Sequence, residues 1–147
     1  ACGGNSDGVL GQGNNNNYYN FVEVKIDGLD LNKTEIEYMS MTYMRAQYSS
    51  VLIKCNNGKV YACGNNKHGN FGIGNNTSYN RFIELSAYNN IWKNTKKIVN
   101  EGIISYIITE KGELYGSGLN EKGNLGLGHK RNEIMLKILH VKMSNIL

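Results

Sequence analysis

The sequence predicts an all-β fold assembled from β-propeller blades, and three observations lead to that prediction. An eleven-residue glycine motif occurs three times in the 147-residue chain. A hairpin pattern precedes the second and third copies, and a short strand pattern follows every copy. Short strands at regular spacing with glycine-rich turns are typical of all-β proteins. The copies start at residues 3, 64 and 118, and this spacing of 54–61 residues fits one four-stranded blade per repeat.

The motif reads G-x-N-x-x-G-x-[LF]-G-x-G in all three copies, and thirteen of the 18 glycines lie inside it. So many glycines disfavour both helix and regular strand, so we expect each copy to form a tight excursion where backbones approach closely. One apolar side chain per copy should anchor the excursion in the core, and one shared asparagine should hydrogen-bond the turn backbone. The copies are motif 1 (residues 3–13, with Asn5 and Leu10), motif 2 (residues 64–74, with Asn66 and Phe71) and motif 3 (residues 118–128, with Asn120 and Leu125).

The segments before motifs 2 and 3 read as a strand, a two-residue turn and a second strand. Asn57-Gly58 and Lys111-Gly112 are the predicted turns, in which glycine supplies the positive φ. Short strands are then predicted after the three motifs, at Phe21–Val24, Phe82–Leu85 and Leu136–Leu139.

Residues 58–74 and 112–128 resemble the regulator-of-chromosome-condensation repeat, whose usual core is G-x-[VL]-Y-x-W-G-x-N-x-x-G-Q-L-G-x-G. The resemblance implies a seven-bladed propeller with four-stranded blades, of which residues 1–147 would supply about two to three. We therefore expect the chain to be one segment of a single propeller domain in a longer protein. The family's tryptophan is replaced here by Cys2, Cys63 and Ser117, so the chain is identified as a divergent member.

The resemblance implies a protein-interaction scaffold that binds a macromolecular partner through loops between strands, rather than an enzyme. Nucleotide exchange on a Ran-type small GTPase and a chromatin-associated scaffold are the two alternatives. The repeat motif carries neither of them, because its residues are structural. The best candidates for partner contacts lie in loops 65–68 and 119–122, at Lys67, His68, Glu121 and Lys122.

Composition narrows the possible partners. The net charge is +4, but the basic residues are dispersed and do not form the dense stripe of a nucleic-acid-binding domain. No apolar stretch approaches the roughly 18–20 residues of a membrane span, and no secretory leader is visible. The three cysteines fit free thiols in a reducing compartment, so we expect an intracellular protein, cytoplasmic or nuclear, without membrane contact.

We expect no cofactor, metal or small-molecule substrate. Residues 123–130 only faintly resemble a phosphate-binding loop, since the lysine is displaced and no Ser or Thr follows it. His68, His129 and His140 are scattered over the repeats, and we expect surface or loop positions without an acid–base partner. Cys63 occupies a repeated core position, which favours a small buried side chain over a nucleophile.

Two features outside the motifs admit more than one interpretation. Trp92, near Lys93, Lys96 and Lys97, is either an exposed anchor for a partner or a core residue of a longer connection. Met39, Met41 and Met44 lie in the longer insert at 33–50, where a methionine-rich strand or short helix that fills a gap is expected.

Overall fold

The computed structural model describes residues 1–30, 32–42 and 47–140. Within these ranges it forms two four-stranded antiparallel sheets, in the strand orders β1-β2-β3-β4 and β5-β6-β7-β8, which we name blade 1 and blade 2. Residues 1–30 form a further layer, the N-terminal unit. The strands are β1 (Ile36–Thr42), β2 (Ser50–Cys55), β3 (Val60–Gly64), β4 (Tyr79–Glu84), β5 (Thr95–Asn100), β6 (Ile104–Thr109), β7 (Leu114–Gly118) and β8 (Glu133–Ile138), and a short helix α1 (Asn90–Lys93) precedes β5.

The two blades repeat one another in register. Ser50 of β2 pairs with Gly64 of β3, and Ile104 of β6 pairs with Gly118 of β7. The outer pairing shifts register at the same place in both blades, immediately before these glycines. The predicted all-β architecture of repeated four-stranded blades is therefore confirmed, with two complete blades in the described chain.

The predicted hairpins are present, but their loops are one residue longer than expected. Gly58 N–H donates to the carbonyl of Cys55, and Cys55 N–H donates to the carbonyl of Lys59, both at 2.9 Å. The loop therefore spans residues 56–58, and residues 110–112 form the same loop in blade 2. Gly58 and Gly112 do adopt positive φ, +78° and +79°, as a turn followed by a left-handed residue requires.

The strand predicted at Phe21–Val24 is wrong, because this segment has no regular strand structure. Its pairing is limited to residues 1–3: Gly3 and Tyr18 exchange two backbone hydrogen bonds, and so do Ala1 and Val22. The Gly3–Tyr18 bridge corresponds to the Gly64–Tyr79 pair of blade 1. The other two predicted strands are confirmed, although β4 and β8 begin three residues earlier than expected.

The main core lies between blade 1 and blade 2, and Trp92 is at its centre. Trp92 is 0% exposed and packs with Leu52, Phe71, Ile98 and Ile107. Its interpretation as a core residue is therefore confirmed. Phe71 of motif 2 anchors its loop in this core as predicted, and Leu10 and Leu125 are buried in the same way in motifs 1 and 3.

Each of the first two motifs packs against the outer strand of the next blade. A Cβ atom on Gly11 would lie 2.6 Å from the ring of Phe82 in β4, and one on Gly72 would lie 2.7 Å from Leu136 in β8. Backbone hydrogen bonds follow the same pattern, from Gly13 to Asn80 at 2.7 Å and from Gly74 to Ile134 at 2.8 Å. The motif glycines therefore allow the loop of one layer to lie directly on the next.

Residues 36–42 of the methionine-rich insert form strand β1, but Met39 and Met41 do not fill a gap. Met39 and Met41 are 58% and 60% exposed. Ile98 of β5 pairs with Ile107 of β6 as Met39 pairs with Ile53 of β2. Ile98 is only 1% exposed, because blade 1 covers it. Met44 lies outside the described residues.

Candidate partner-binding face

The motif turns lie at the same end of the sheets as the β1–β2 and β5–β6 connections. Asn65 N–H donates to the carbonyl of Ser49 at 2.8 Å, and Leu119 N–H donates to the carbonyl of Ile103 at 2.9 Å. We name this end of the molecule the turn face. The hairpin loops at 56–58 and 110–112 lie at the opposite ends of the strands.

Lys67 and His68 are the two central residues of a β-turn on the turn face. Gly69 N–H closes the turn by donating to the carbonyl of Asn66 at 2.8 Å. Lys67 is exposed and His68 is half-buried. A closed turn fixes the backbone from which both side chains extend, which lowers the backbone entropy lost when a partner binds.

The shared asparagine holds each turn from below. Asn66 is fully buried; its Oδ1 accepts the Phe71 N–H at 2.8 Å, and its Nδ2 donates to the carbonyls of Asn75 and Thr77 at 3.1 Å. The predicted role of this column is confirmed in all three motifs. In motif 1, Asn5 bonds Leu10 and Asn14 at 2.9 Å; in motif 3, Asn120 bonds Leu125 at 2.9 Å, His129 at 2.8 Å and Arg131 at 3.1 Å.

An open cleft of about 420 Å³ lies where the N-terminal unit meets blade 1 on the turn face, lined by Asp7, Gln47, Tyr48, Lys67 and His68. The Tyr48 and His68 rings lie 5.4 Å apart at an angle of 43°. The cleft thus combines a carboxylate, a primary amine, an imidazole and a phenol.

Asp7 ties the two motifs together beneath the cleft. Its Oδ2 accepts the Ser49 N–H at 2.9 Å, and its Oδ1 accepts the Asn65 side-chain amide at 3.2 Å. Asn65 in turn accepts the Lys67 N–H at 3.0 Å. A second cleft of about 410 Å³ shares Asp7 and extends along the outer strand to Arg81.

Glu121 and Lys122 occupy the equivalent turn of motif 3, and both are exposed. Gly123 N–H closes this turn through the carbonyl of Asn120 at 2.8 Å. Neither side chain forms a hydrogen bond or ion pair with the cleft residues in the described ranges. The four predicted residues therefore share one face, but only Lys67 and His68 lie in the cleft.

Sequence reasoning missed Asp7, Gln47 and Tyr48. Asp7 could have been found from the repeat alone, because the motif alignment places it in the same column as His68 and Lys122. Gln47 and Tyr48 belong to no repeated pattern. They reach the cleft only because the β1–β2 connection lies against motif 2.

Cys63 and His129 are two titratable groups that lie outside the cleft. Burial raises the pKa of the Cys63 thiol, whose sulfur lies 3.2 Å from the carbonyl of Val9, so this cysteine is a small core side chain as expected. The expectation that the histidines lack an acidic partner is wrong for His129, whose Nε2 lies 3.4 Å from Glu133. The two residues are four apart and meet because the end of motif 3 turns back toward β8.

The described ranges contain neither a metal-binding group of side chains nor a helix that could cross a membrane. No three His, Cys, Asp or Glu side chains are grouped so that they could hold a metal ion. None of the helices found there has the length and apolar content to span a bilayer.

No protein-family model matches the chain. Several solved structures do match it. Human WBSCR16 superposes with a TM-score of 0.70 at 18% identity, over 95% of this chain and 34% of that protein. Prp20p from Saccharomyces cerevisiae, described with its binding properties to Gsp1p and histones, gives 0.69 at 17% identity over 95% and 33%.

Yeast RCC1 (Prp20) bound to Kap60 gives a TM-score of 0.63 at 18% identity, over 81% of this chain and 27% of that one. The chain thus spans about a third of the length of the first two proteins. At these identities the matches show the fold: the described residues form part of a propeller of the regulator-of-chromosome-condensation type.

Proposed function

We propose that the chain is a protein-interaction scaffold and that its turn face binds a protein partner. The observation that carries the proposal is the set of three closed turns, each held by a buried asparagine, two of which lie at the same end of a four-stranded sheet. Rigid scaffolds with functional side chains on loops are the usual design of binding modules.

The cleft around Tyr48 is the centre of this proposal. Its aromatic rings and its mixture of one carboxylate with basic groups fit a polar partner segment with an apolar or aromatic side chain between charged ones. Aromatic side chains in partly enclosed positions contribute disproportionately to binding energy. The exposed Lys67 and Lys122 then steer the partner toward the face.

Charge reversal tests the proposal. Lys67→Glu with Lys122→Glu should weaken capture of partner proteins from a native cell extract, compared by quantitative mass spectrometry, without lowering the melting temperature. Lys93→Glu with Lys111→Glu is the matched control, because it reverses the same number of exposed charges at the opposite ends of the strands, where Lys93 lies beside the hairpin loop at 56–58. Identical capture by all three proteins would overturn the proposal, as would a loss of fold in the double variant.

Regulation of a small GTPase is a second candidate, favoured by the match to Prp20p with its Gsp1p binding. Such an activity makes the chain an exchange factor rather than a catalyst of covalent chemistry. Release of a fluorescent guanine nucleotide from a purified Ran-type GTPase, with and without the chain, tests it. An unchanged release rate at saturating chain would contradict this candidate and leave the scaffold proposal intact.

A further inference from the structure

The side chain of Asn100 lies where blade 2 meets blade 1, at the centre of a hydrogen-bond network that joins the two blades. Asn100 is the last residue of β5 and is only 3% exposed. Its Nδ2 donates to the carbonyl of Ser50 at 3.1 Å, and its Oδ1 accepts a hydrogen bond from Ser50 Oγ at 3.2 Å. Ser50 is the first residue of β2, so this side chain ties blade 2 to the start of a strand in blade 1.

The backbone of Asn100 binds the strand on the other side of the β1–β2 connection. Asn100 N–H donates to Ser40 Oγ at 3.1 Å, and the carbonyl of Asn100 accepts a hydrogen bond from Thr42 Oγ1. Ser40 and Thr42 lie at the end of β1. One residue of blade 2 therefore holds both the strand that enters the β1–β2 connection and the strand that leaves it.

The turn that follows Asn100 also lies against the connection itself. Gly102 N–H donates to Asn100 Oδ1 at 3.2 Å, so the same side chain shapes this turn. A Cβ atom on Gly102 would overlap the carbonyl oxygen of Tyr48 and would lie 3.3 Å from Thr42 Cγ2. Glycine at this position therefore allows the blade 2 turn to lie directly on the Tyr48 backbone.

On its other side, the described part of the connection is bound to motifs 1 and 2. Ser49 N–H donates to Asp7 Oδ2 at 2.9 Å, and the carbonyl of Ser49 accepts the Asn65 N–H at 2.8 Å. The ring of Tyr48 lies 5.4 Å from the ring of His68. Tyr48 is thus held between the blade 2 turn and the two motifs that form the cleft.

Blade 2 contacts the cleft only indirectly. No described residue of blade 2 lines the cleft, and Asn100, Ser50 and Ser105 of the network are all buried. The N–H, carbonyl, Oδ1 and Nδ2 groups of Asn100 all have hydrogen-bond partners. Because a fully satisfied buried network is rigid, it fixes the backbone on which Tyr48 is carried.

We propose that Asn100 and Gly102 position Tyr48 in the cleft, so that blade 2 sets how tightly the turn face binds a protein partner. The effect on binding rests on the proposed function of the turn face. Both are positioning residues, because they act through the backbone of Tyr48 and do not line the cleft. A side chain that is already held in its binding position loses less conformational entropy when the partner arrives.

Gly102→Ala tests the proposal, and Gly112→Ala is its matched control. Both glycines have positive φ, +76° and +79°, but Gly112 has no atom within 4 Å of a Cβ position. Both variants therefore incur the cost of a left-handed alanine, and only Gly102→Ala displaces Tyr48. The nuclear Overhauser effect between the Tyr48 and His68 rings, measured well below the melting temperature, should be lost in Gly102→Ala and retained in Gly112→Ala. A ring contact that persists in Gly102→Ala, or that disappears in both variants, would overturn the proposal.

Asn100→Ala provides a second variant that does not crowd the turn, in case Gly102→Ala does not fold. Its control is Thr95→Ala, which removes a buried, hydrogen-bonded side chain from the opposite end of β5. The ring contact should be lost in Asn100→Ala alone. Amide hydrogen exchange at Ser49 should also be faster in Asn100→Ala than in Thr95→Ala, at urea concentrations that give the two variants equal stability. Equal exchange rates would show that Asn100 contributes only to global stability and would contradict the proposal.

Binding is measured with the proteins that the unmodified chain captures and the double charge reversal on the turn face loses, each purified and titrated separately. Gly102→Ala should weaken their binding by about two- to thirtyfold, the range for residues that act through their neighbours, whereas Gly112→Ala should leave it unchanged. Loss of the ring contact with unchanged affinity would overturn this proposal and leave the turn face as the binding surface. A charge reversal that loses no protein would instead overturn the proposed function and the predicted effect on affinity, while the ring contact would still confirm or overturn the positioning of Tyr48.

Discussion

Gly72 of motif 2 lies so close to Leu136 of β8 that a Cβ atom on the glycine would be 2.7 Å from the leucine Cγ. Gly126, at the same position of motif 3, has nearly the same backbone conformation, with φ of +63° against +61° for Gly72, and open space around it. Substitutions at the two glycines therefore distinguish the free-energy cost of a left-handed backbone from the free-energy cost of crowding between blades.

Alanine at these two positions should destabilise the chain unequally. Gly126→Ala should lower the free energy of unfolding by about 1–2 kcal/mol through positive φ alone. Gly72→Ala should lower it by about 1–3 kcal/mol more, because the added methyl group overpacks the contact with Leu136. Urea unfolding followed by circular dichroism measures both losses. Equal losses would show that the contact between blades tolerates the methyl group.

Asn66→Ala should lower the free energy of unfolding by about 3 kcal/mol, since it leaves the buried Phe71 N–H and two loop carbonyls without partners. Asn76→Ala, an exposed position in the same loop, should change it by less than about 0.5 kcal/mol. Thermal and urea unfolding of both variants gives the comparison. Similar stability of the two would mean that water replaces the buried amide.

Trp92 is the only tryptophan of the chain, so its fluorescence reports on the core between the blades. We expect a blue-shifted emission that soluble quenchers do not reduce, and a red shift on unfolding. Trp92→Ala should cost about 3–5 kcal/mol. Trp92→Phe should cost less, because it also removes an indole N–H that has no partner among the described residues. Quenching in the native state would contradict the core position.

The three thiols should differ in reactivity. Cys2 is exposed, whereas Cys55 and Cys63 are buried, and burial raises the pKa of both buried thiols. A thiol reagent at neutral pH should therefore modify one cysteine in the native chain and three after denaturation. Cys2→Ser should abolish the native reaction. Native labelling of Cys63, located by peptide mapping, would contradict its placement in the core.

The ionised carboxylate of Glu84 should add modestly to the free energy of unfolding, and this contribution should be lost at acid pH. Burial opposes its ionisation, but hydrogen bonds from Lys59 and Ser86 outweigh burial and lower the pKa of the carboxyl. A lowered pKa stabilises the folded state above the unfolded value of about 4.3, and this stabilisation is lost as pH falls further. Because Lys59 and Glu84 are partly exposed, Glu84→Gln should remove no more than about 1 kcal/mol at neutral pH. Melting temperatures from pH 3 to 7 should then converge for the two proteins at the acid end.

The fold could be predicted wherever the chain repeats itself. Asn5, Asn66 and Asn120 share one column, and each holds its turn as expected. Local interactions that occur only once in the chain were harder to predict. Asn89 accepts the Ile91 and Trp92 N–H groups and begins α1, yet a single asparagine in an asparagine-rich chain carries little signal.

Errors arose where a pattern needed a partner from another part of the chain. Phe21–Val24 alternates like β4, but a strand forms only beside a paired neighbour, and residues 1–3 supply little pairing. The cleft was likewise not predicted. Asp7 reaches it through contacts between layers, and Tyr48 reaches it because the β1–β2 connection lies against motif 2; no local spacing encodes either contact.

The sequence repeat and the sheet do not share a boundary. Counted from motif 2 to motif 3, one repeat contributes β4 to blade 1 and β5, β6 and β7 to blade 2. Each such unit therefore links two neighbouring sheets covalently, and motifs 1 and 2 each add a non-covalent contact between the layers that they join. Stability then depends on nearest-neighbour coupling between layers. Each repeat thus contributes both to a blade and to the contact that couples this blade to its neighbour.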